Sequence, residues 1–141
     1  SQGWGMPRQD EVQALGMAGR ERAIIRQVQL MCAEHTWIYA RTVIPATSLR
    51  GRLQRLVQLG TRPLGAMLFA DPGMRRGVVE LARILPGQEL FEDATQSVDD
   101  RSATIWGRRS VFRITGRPLL VSEIFLPGFP SARVQRPAWK M

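Results

Sequence analysis

Leu119-Leu120-Val121-Ser122-Glu123-Ile124-Phe125-Leu126-Pro127 follows a turn signal, Gly116-Arg117-Pro118, and has the residue types of a strand. Side chains alternate along a strand, so Leu119, Val121, Glu123 and Phe125 share one face. Three of these are large and apolar, and the fourth is a carboxylate. Burying an unpaired carboxylate is costly, so Glu123 requires a partner, a proton or a ligand. A second strand carries the matching anomaly. Over residues 24–32, Ile24, Arg26, Val28, Leu30 and Cys32 fall on one side, and Gln27 and Gln29 lie opposite. An arginine and a glutamate on inward faces suggest an enclosed polar pocket for a small anionic ligand. A structural ion pair between Arg26 and Glu123 satisfies the same pattern.

Working outward, Gly116-Arg117 turns the chain back from a long strand over 103–115. The run 22–32 and the run 37–44, stopped by Pro45, are joined by a short link and predict an antiparallel hairpin. Thr47 or Ser48 can cap a helix reaching Leu59, with Leu49, Leu53, Leu56 and Val57 at helical spacing and Gly60 as its stop. A second short helix over 63–70 places Leu64, Met67 and Leu68 on one side, with Pro63 in its first turn. Residues 77–84 predict another strand, 86–102 a loop or a short helix around 89–95, and 1–21 irregular chain. The last stretch, 128–141, has two prolines and little pattern, and reads as an extended or mobile tail. The sum is one α+β domain: a largely antiparallel sheet with helices on one face.

Composition narrows the function classes. The 141 residues fit one domain with a usable core, 44% hydrophobic and 23% charged. No apolar run approaches the roughly 20 residues that span a bilayer, and no secretory signal opens the chain, so a cytoplasmic protein without membrane insertion is expected. Cys32 and His35 are the sole cysteine and histidine, which argues against an intrachain disulfide, a Cys/His zinc site or a Ser-His-Asp triad. The net charge of +8 is spread as single or paired arginines, with Lys140 the only lysine. With no basic run and no basic–aromatic interleaving, a solvated basic surface is favoured over nucleic-acid binding.

A third residue also breaks its strand's pattern. Arg41 shares a side with Trp37, Tyr39 and Val43. Two arginines and one carboxyl group in an apolar pocket suit a ligand with two carboxylates and a hydroxyl, because a guanidinium binds carboxylates through two parallel hydrogen bonds.

The stretches Ala40-Arg41-Thr42-Val43-Ile44-Pro45, Leu59-Gly60-Thr61-Arg62-Pro63-Leu64-Gly65, Trp106-Gly107-Arg108-Arg109-Ser110 and 116–127 resemble, in order and spacing, those of the chorismate–pyruvate lyase family. The similarity runs from about residue 22 to 127. The resemblance implies an antiparallel sheet with helical flaps over an enclosed site, no metal and no organic cofactor. It implies cleavage of chorismate to 4-hydroxybenzoate and pyruvate, the entry to ubiquinone synthesis. Carried over by position, Arg26 would pair with the ring carboxylate, the backbone N–H of Leu64 would assist, and Glu123 would meet the 4-hydroxyl. Arg41 would hold the enolpyruvyl carboxylate, so Glu123 and Arg41 are the expected catalytic pair. The partners expected are chorismate and 4-hydroxybenzoate alone, with the protein a monomer. Family members carry a further N-terminal helical segment supplying a methionine backbone contact. Met6 and Met17 do not align with it, and a fragment of a longer lyase is expected. The competing expectation is a small-molecule-sensing domain of the kind found in bacterial transcription regulators.

Overall fold

The computed structural model describes residues 1–32, 35–58, 64–96, 98 and 105–127. Its spine is the expected hairpin of β2 (Ala23–Cys32) and β3 (His35–Pro45), antiparallel from Ala23↔Pro45 to Cys32↔His35. The strand that carries Glu123, β7 (Arg117–Phe125), lies in the middle of the sheet, between β3 and β6 (Ile105–Ile114). A two-residue turn, Thr115-Gly116, links β6 to β7, with both residues at positive φ (53° and 81°). That conformation matches the twist of a tight hairpin and favours glycine at its second position. On the far edge of β6, β4 (Met74–Arg76) and β5 (Glu80–Ile84) pair with successive parts of the same strand. β1 (Gln2–Gly5) closes the other edge against β2. All pairings are antiparallel, in the order β1-β2-β3-β7-β6-β4, with β5 also on β6.

The register divides the side chains into two faces. The front carries Ile24, Arg26 and Val28 of β2, then Ile44, Thr42 and Ala40 of β3, then Leu119, Val121 and Glu123 of β7, then Phe112, Ser110 and Arg108 of β6. One end of this face is a core of Ile24, Ile44, Phe112, Ile114 and Leu119. It is covered by Leu53 from a 3-10 segment, Gly51–Gln58, and by Leu68 from α2 (Leu64–Ala70). The pair of short helical elements expected over the sheet is thus present, although the first turns as a 3-10 helix.

Two expectations are corrected. Residues 1–21 are not irregular: they contain β1 and α1 (Gln9–Leu15). β1 has no apolar alternation of its own and exists through its ladder to β2, a non-local cause. Helices also cover both faces, not one. On the back, α1 seats Leu15 against Ala23, Val43 and Leu120, and α3 (Glu89–Ala94) seats Phe91 and Ala94 against Tyr39, Ile84, Ile105 and Ile124. The tail 128–141 and the turn 59–63 lie outside the described residues.

Candidate active site

Beyond the apolar end, the front face turns polar. Arg26 stands opposite Thr42, and Glu123 stands between Ala40 of β3 and Arg108 of β6. Arg26 and Glu123 are therefore two strands apart, about 10 Å sideways at the usual strand spacing. Between them, on β3, stand the small side chains of Ala40 and Thr42. Both charges sit low in the surface: Arg26 is 5% exposed and the Glu123 side chain 16%. Arg26 also lies within 3.4 Å of the Gln2 side-chain oxygen, a contact supplied by the β1 edge.

Glu123 has a direct partner that is not Arg26. The Nε of Arg108 donates to Oε1 of Glu123 at 2.9 Å. Burial pushes the Glu123 carboxyl above the usual carboxylate range, and the nearby guanidinium groups of Arg108 and then Arg76 offset only part of that. Burial likewise lowers Arg108, with Glu123 opposing. A carboxyl group in that condition can accept a hydrogen bond from a ligand hydroxyl, or carry a proton. Arg76 completes the cluster, with its Nε on the Ser110 hydroxyl at 3.2 Å.

The expectation for Arg41 is corrected. Arg41 pairs with Gln27 and Ser122, which puts it on the back face. There its Nε and Nη2 donate to the two carboxylate oxygens of Glu11 at 2.7 and 2.9 Å. Burial works against this pair, yet the bonds from Arg41 and Arg8 hold Glu11 below its ordinary value, and Glu11 holds Arg41 above its own. Arg8 extends the network to Asp93 and Glu89 of α3. These contacts clamp α1 and α3 to the sheet. Arg41 thus does not share a face with Arg26 and Glu123. Alternation sorts the side chains within each strand, but it does not fix how two strands are phased against each other.

Leu64 opens α2, over the front face. Arg108, in the Trp-Gly-Arg-Arg stretch, joins the site through a signal that the sequence does carry. A two-residue turn at Thr115-Gly116 pairs Ile114 with Arg117, and counting back places Arg108 opposite Glu123. Nothing in the sequence pointed to Arg76, because β4 is three residues long and paired only at a distance. A separate open groove of about 470 Å³ runs between Trp4, Ile24, Leu49, Gln54 and Gln58, linking the β1 edge to the 3-10 segment, and neither Arg26 nor Glu123 lines it.

The chain matches the family model described as chorismate lyase over residues 1–134. It is 41% identical over 126 residues to a probable chorismate pyruvate-lyase of Methylococcus capsulatus, covering 89% of this chain and 76% of that protein. It is 40% identical over 121 residues to one of Thiobacillus denitrificans, covering 86% and 65%. The chain thus spans between about two thirds and three quarters of these relatives' length. Among solved structures, a GntR-family transcriptional regulator from Bacillus cereus superposes with a TM-score of 0.64 at 14% identity, over 90% of this chain and 87% of that one. The PhnF C-terminal domain gives 0.68 at 10% identity, over 92% and 80%. At such identities the structural likeness concerns the fold, whereas the sequence matches decide the lineage: this chain belongs to the chorismate lyase family, whose named relatives are lyases.

Proposed function

We propose that the front-face cluster binds chorismate and releases 4-hydroxybenzoate and pyruvate, supplying the aromatic precursor of ubiquinone. The observation that carries this reading is that Arg26 and Glu123 stand on one face of the sheet, with the small residues Ala40 and Thr42 of β3 between them. A six-membered ring lies over that floor with a carboxylate at one end and a hydroxyl at the other. Arg26 takes the ring carboxylate, a charge-assisted contact strengthened by burial. Glu123 takes the 4-hydroxyl, and the N–H of Leu64 is part of the same proposal through the family resemblance. A cytoplasmic setting and action as a monomer belong to it as well.

The chemistry asks little of the protein. The C3–O ether bond breaks and the C4 proton is lost. The C–H electron pair completes the aromatic sextet, and the enolpyruvate, protonated on its methylene carbon, becomes pyruvate. Aromatisation drives the reaction, so the protein contributes orientation and stabilisation of charge on the departing oxygen. The direct test is to incubate the chain with chorismate and follow 4-hydroxybenzoate. No product would sink the lyase reading.

A second reading is supported by the fold shared with regulator domains, among them the ligand-binding domain of a GntR-family transcriptional regulator from Bordetella bronchiseptica. It is a sensor that binds the aromatic acid without turnover. Tight 4-hydroxybenzoate binding with no product from chorismate would select it.

A further inference from the structure

Arg76 is held in a way that the fold alone does not require. Its position on β4 faces Phe112, and its guanidinium carbon lies 5.2 Å from the centroid of that ring. Its Nε donates to Ser110, the next front-face residue of β6 toward Arg108. The side chain is therefore drawn along β6 toward the Arg108–Glu123 pair. The ring and the hydroxyl fix the guanidinium plane while using only Nε. The Nη1 and Nη2 groups have no hydrogen-bond partner among the described residues. Arg76 is half-buried, and its Nη1 and Nη2 are not among the fully buried polar atoms of the described residues, so a ligand can reach them. Arg108 lies deeper, 3% exposed and bonded to Glu123, and Arg41 is on the other face.

Chorismate carries a second carboxylate, on the enolpyruvyl group at C3, next to the C4 hydroxyl. With the ring carboxylate at Arg26 and the hydroxyl at Glu123, the C3 substituent leaves the ring beside Glu123. We propose that Nη1 and Nη2 of Arg76 form a second carboxylate subsite that grips the enolpyruvyl carboxylate by two parallel hydrogen bonds. This rests on the lyase reading above and moves the role expected of Arg41 to Arg76. Preset in orientation by Phe112 and Ser110, the guanidinium loses little freedom on binding. It also faces the group on which negative charge develops as the C3–O bond breaks and its electron pair goes to the enolpyruvate oxygen.

The test exploits the product, which keeps the ring carboxylate and hydroxyl but lacks the second carboxylate. Arg76→Gln is expected to lower kcat/KM for chorismate ten- to hundredfold and to leave 4-hydroxybenzoate affinity unchanged, with Arg76→Lys recovering part of the loss. A binding arm needs no turnover. The wild-type chain should bind 3-(carboxymethoxy)-4-hydroxybenzoate, a stable aromatic with both carboxylates, more tightly than 4-hydroxybenzoate, and Arg76→Gln should erase that preference. Wild-type behaviour of Arg76→Gln in both arms overturns the subsite and leaves the lyase reading standing. A wild-type chain that prefers the dicarboxylate through Arg76 but makes no product keeps the subsite and overturns catalysis. A wild-type chain that binds neither compound overturns both.

Discussion

Arg41 and Glu11 form a two-bonded ion pair beneath α1, at 2.7 and 2.9 Å, with side chains 7% and 5% exposed. The pair joins the helix to the centre of the sheet on the side away from the candidate active site. Its function is to hold the back layer, and through it the β3–β7 ladder that places Glu123.

Arg41→Met should therefore lower stability by about 3–5 kcal/mol, because it leaves Glu11 buried beside a hydrophobic side chain. The double variant Glu11→Leu/Arg41→Met should recover most of that loss. Chemical denaturation measures both, and 4-hydroxybenzoate affinity should be unchanged in each. Lost binding with intact stability would return Arg41 to the ligand.

The same pair sets an acid limit. Glu11 sits below its ordinary value of 4.5, so the unfolded chain binds more protons than the folded one in the acid range. The stability that Glu11 contributes is complete above that ordinary value and is lost as pH falls through the lower, folded one. Glu11→Gln should flatten the stability-versus-pH curve below about pH 4.5. An acid limb as steep as the wild type's would assign it to other carboxylates.

At the candidate site, Arg26→Ala should weaken 4-hydroxybenzoate by about 10- to 100-fold, the loss of a charge-assisted hydrogen bond worth about 1.5–3 kcal/mol. Glu123→Gln keeps the shape and should weaken 4-hydroxybenzoate by about tenfold while sparing benzoate, which lacks the hydroxyl. Calorimetry with the two acids separates the roles. Equal losses for both acids in Glu123→Gln would mean that Glu123 does not meet the hydroxyl.

Gly107 explains the small residue within the Trp-Gly-Arg-Arg stretch. A Cβ there would lie 2.6 Å from Cδ1 of Ile124, 2.9 Å from Cδ1 of Ile84 and 3.2 Å from the Glu123 carbonyl oxygen. Gly107→Ala should cost about 1–3 kcal/mol of stability through overpacking, and should disturb the β6–β7 register that sets Arg108 against Glu123. Thermal unfolding and lyase rate should fall together. A variant as stable as wild type would show that the two isoleucines can retreat.

The 3-10 segment and α2 cover the front core through Leu53 and Leu68, and Phe69 meets Phe112 edge-on with centroids 6.2 Å apart. If this layer gates release, pre-steady-state kinetics with chorismate in excess should show a burst of product, slower steady turnover and inhibition by added 4-hydroxybenzoate. Linear, uninhibited product formation would leave the layer as a fixed cover.

The sequence by itself determined the long strands, their hairpins and the three residues that break an apolar face, because alternation is local and a carboxylate among Leu119, Val121 and Phe125 is visible without coordinates. It also carried the family. It did not determine α1 or β1, whose few apolar residues matter only against β2, Val43 and Leu120. Nor did it settle which faces join. Pairing Gln27, Arg41 and Ser122 sends Arg41 to the back, while pairing Arg26 with Thr42 keeps Arg26 at the front beside Glu123's strand. A shift of one residue between β2 and β3 would have reversed that sorting. Register is set by the packing of the whole sheet against its two helical layers, so only the tertiary structure could decide that Glu11 takes Arg41, that Arg108 takes Glu123 and that Arg76 reaches the same face.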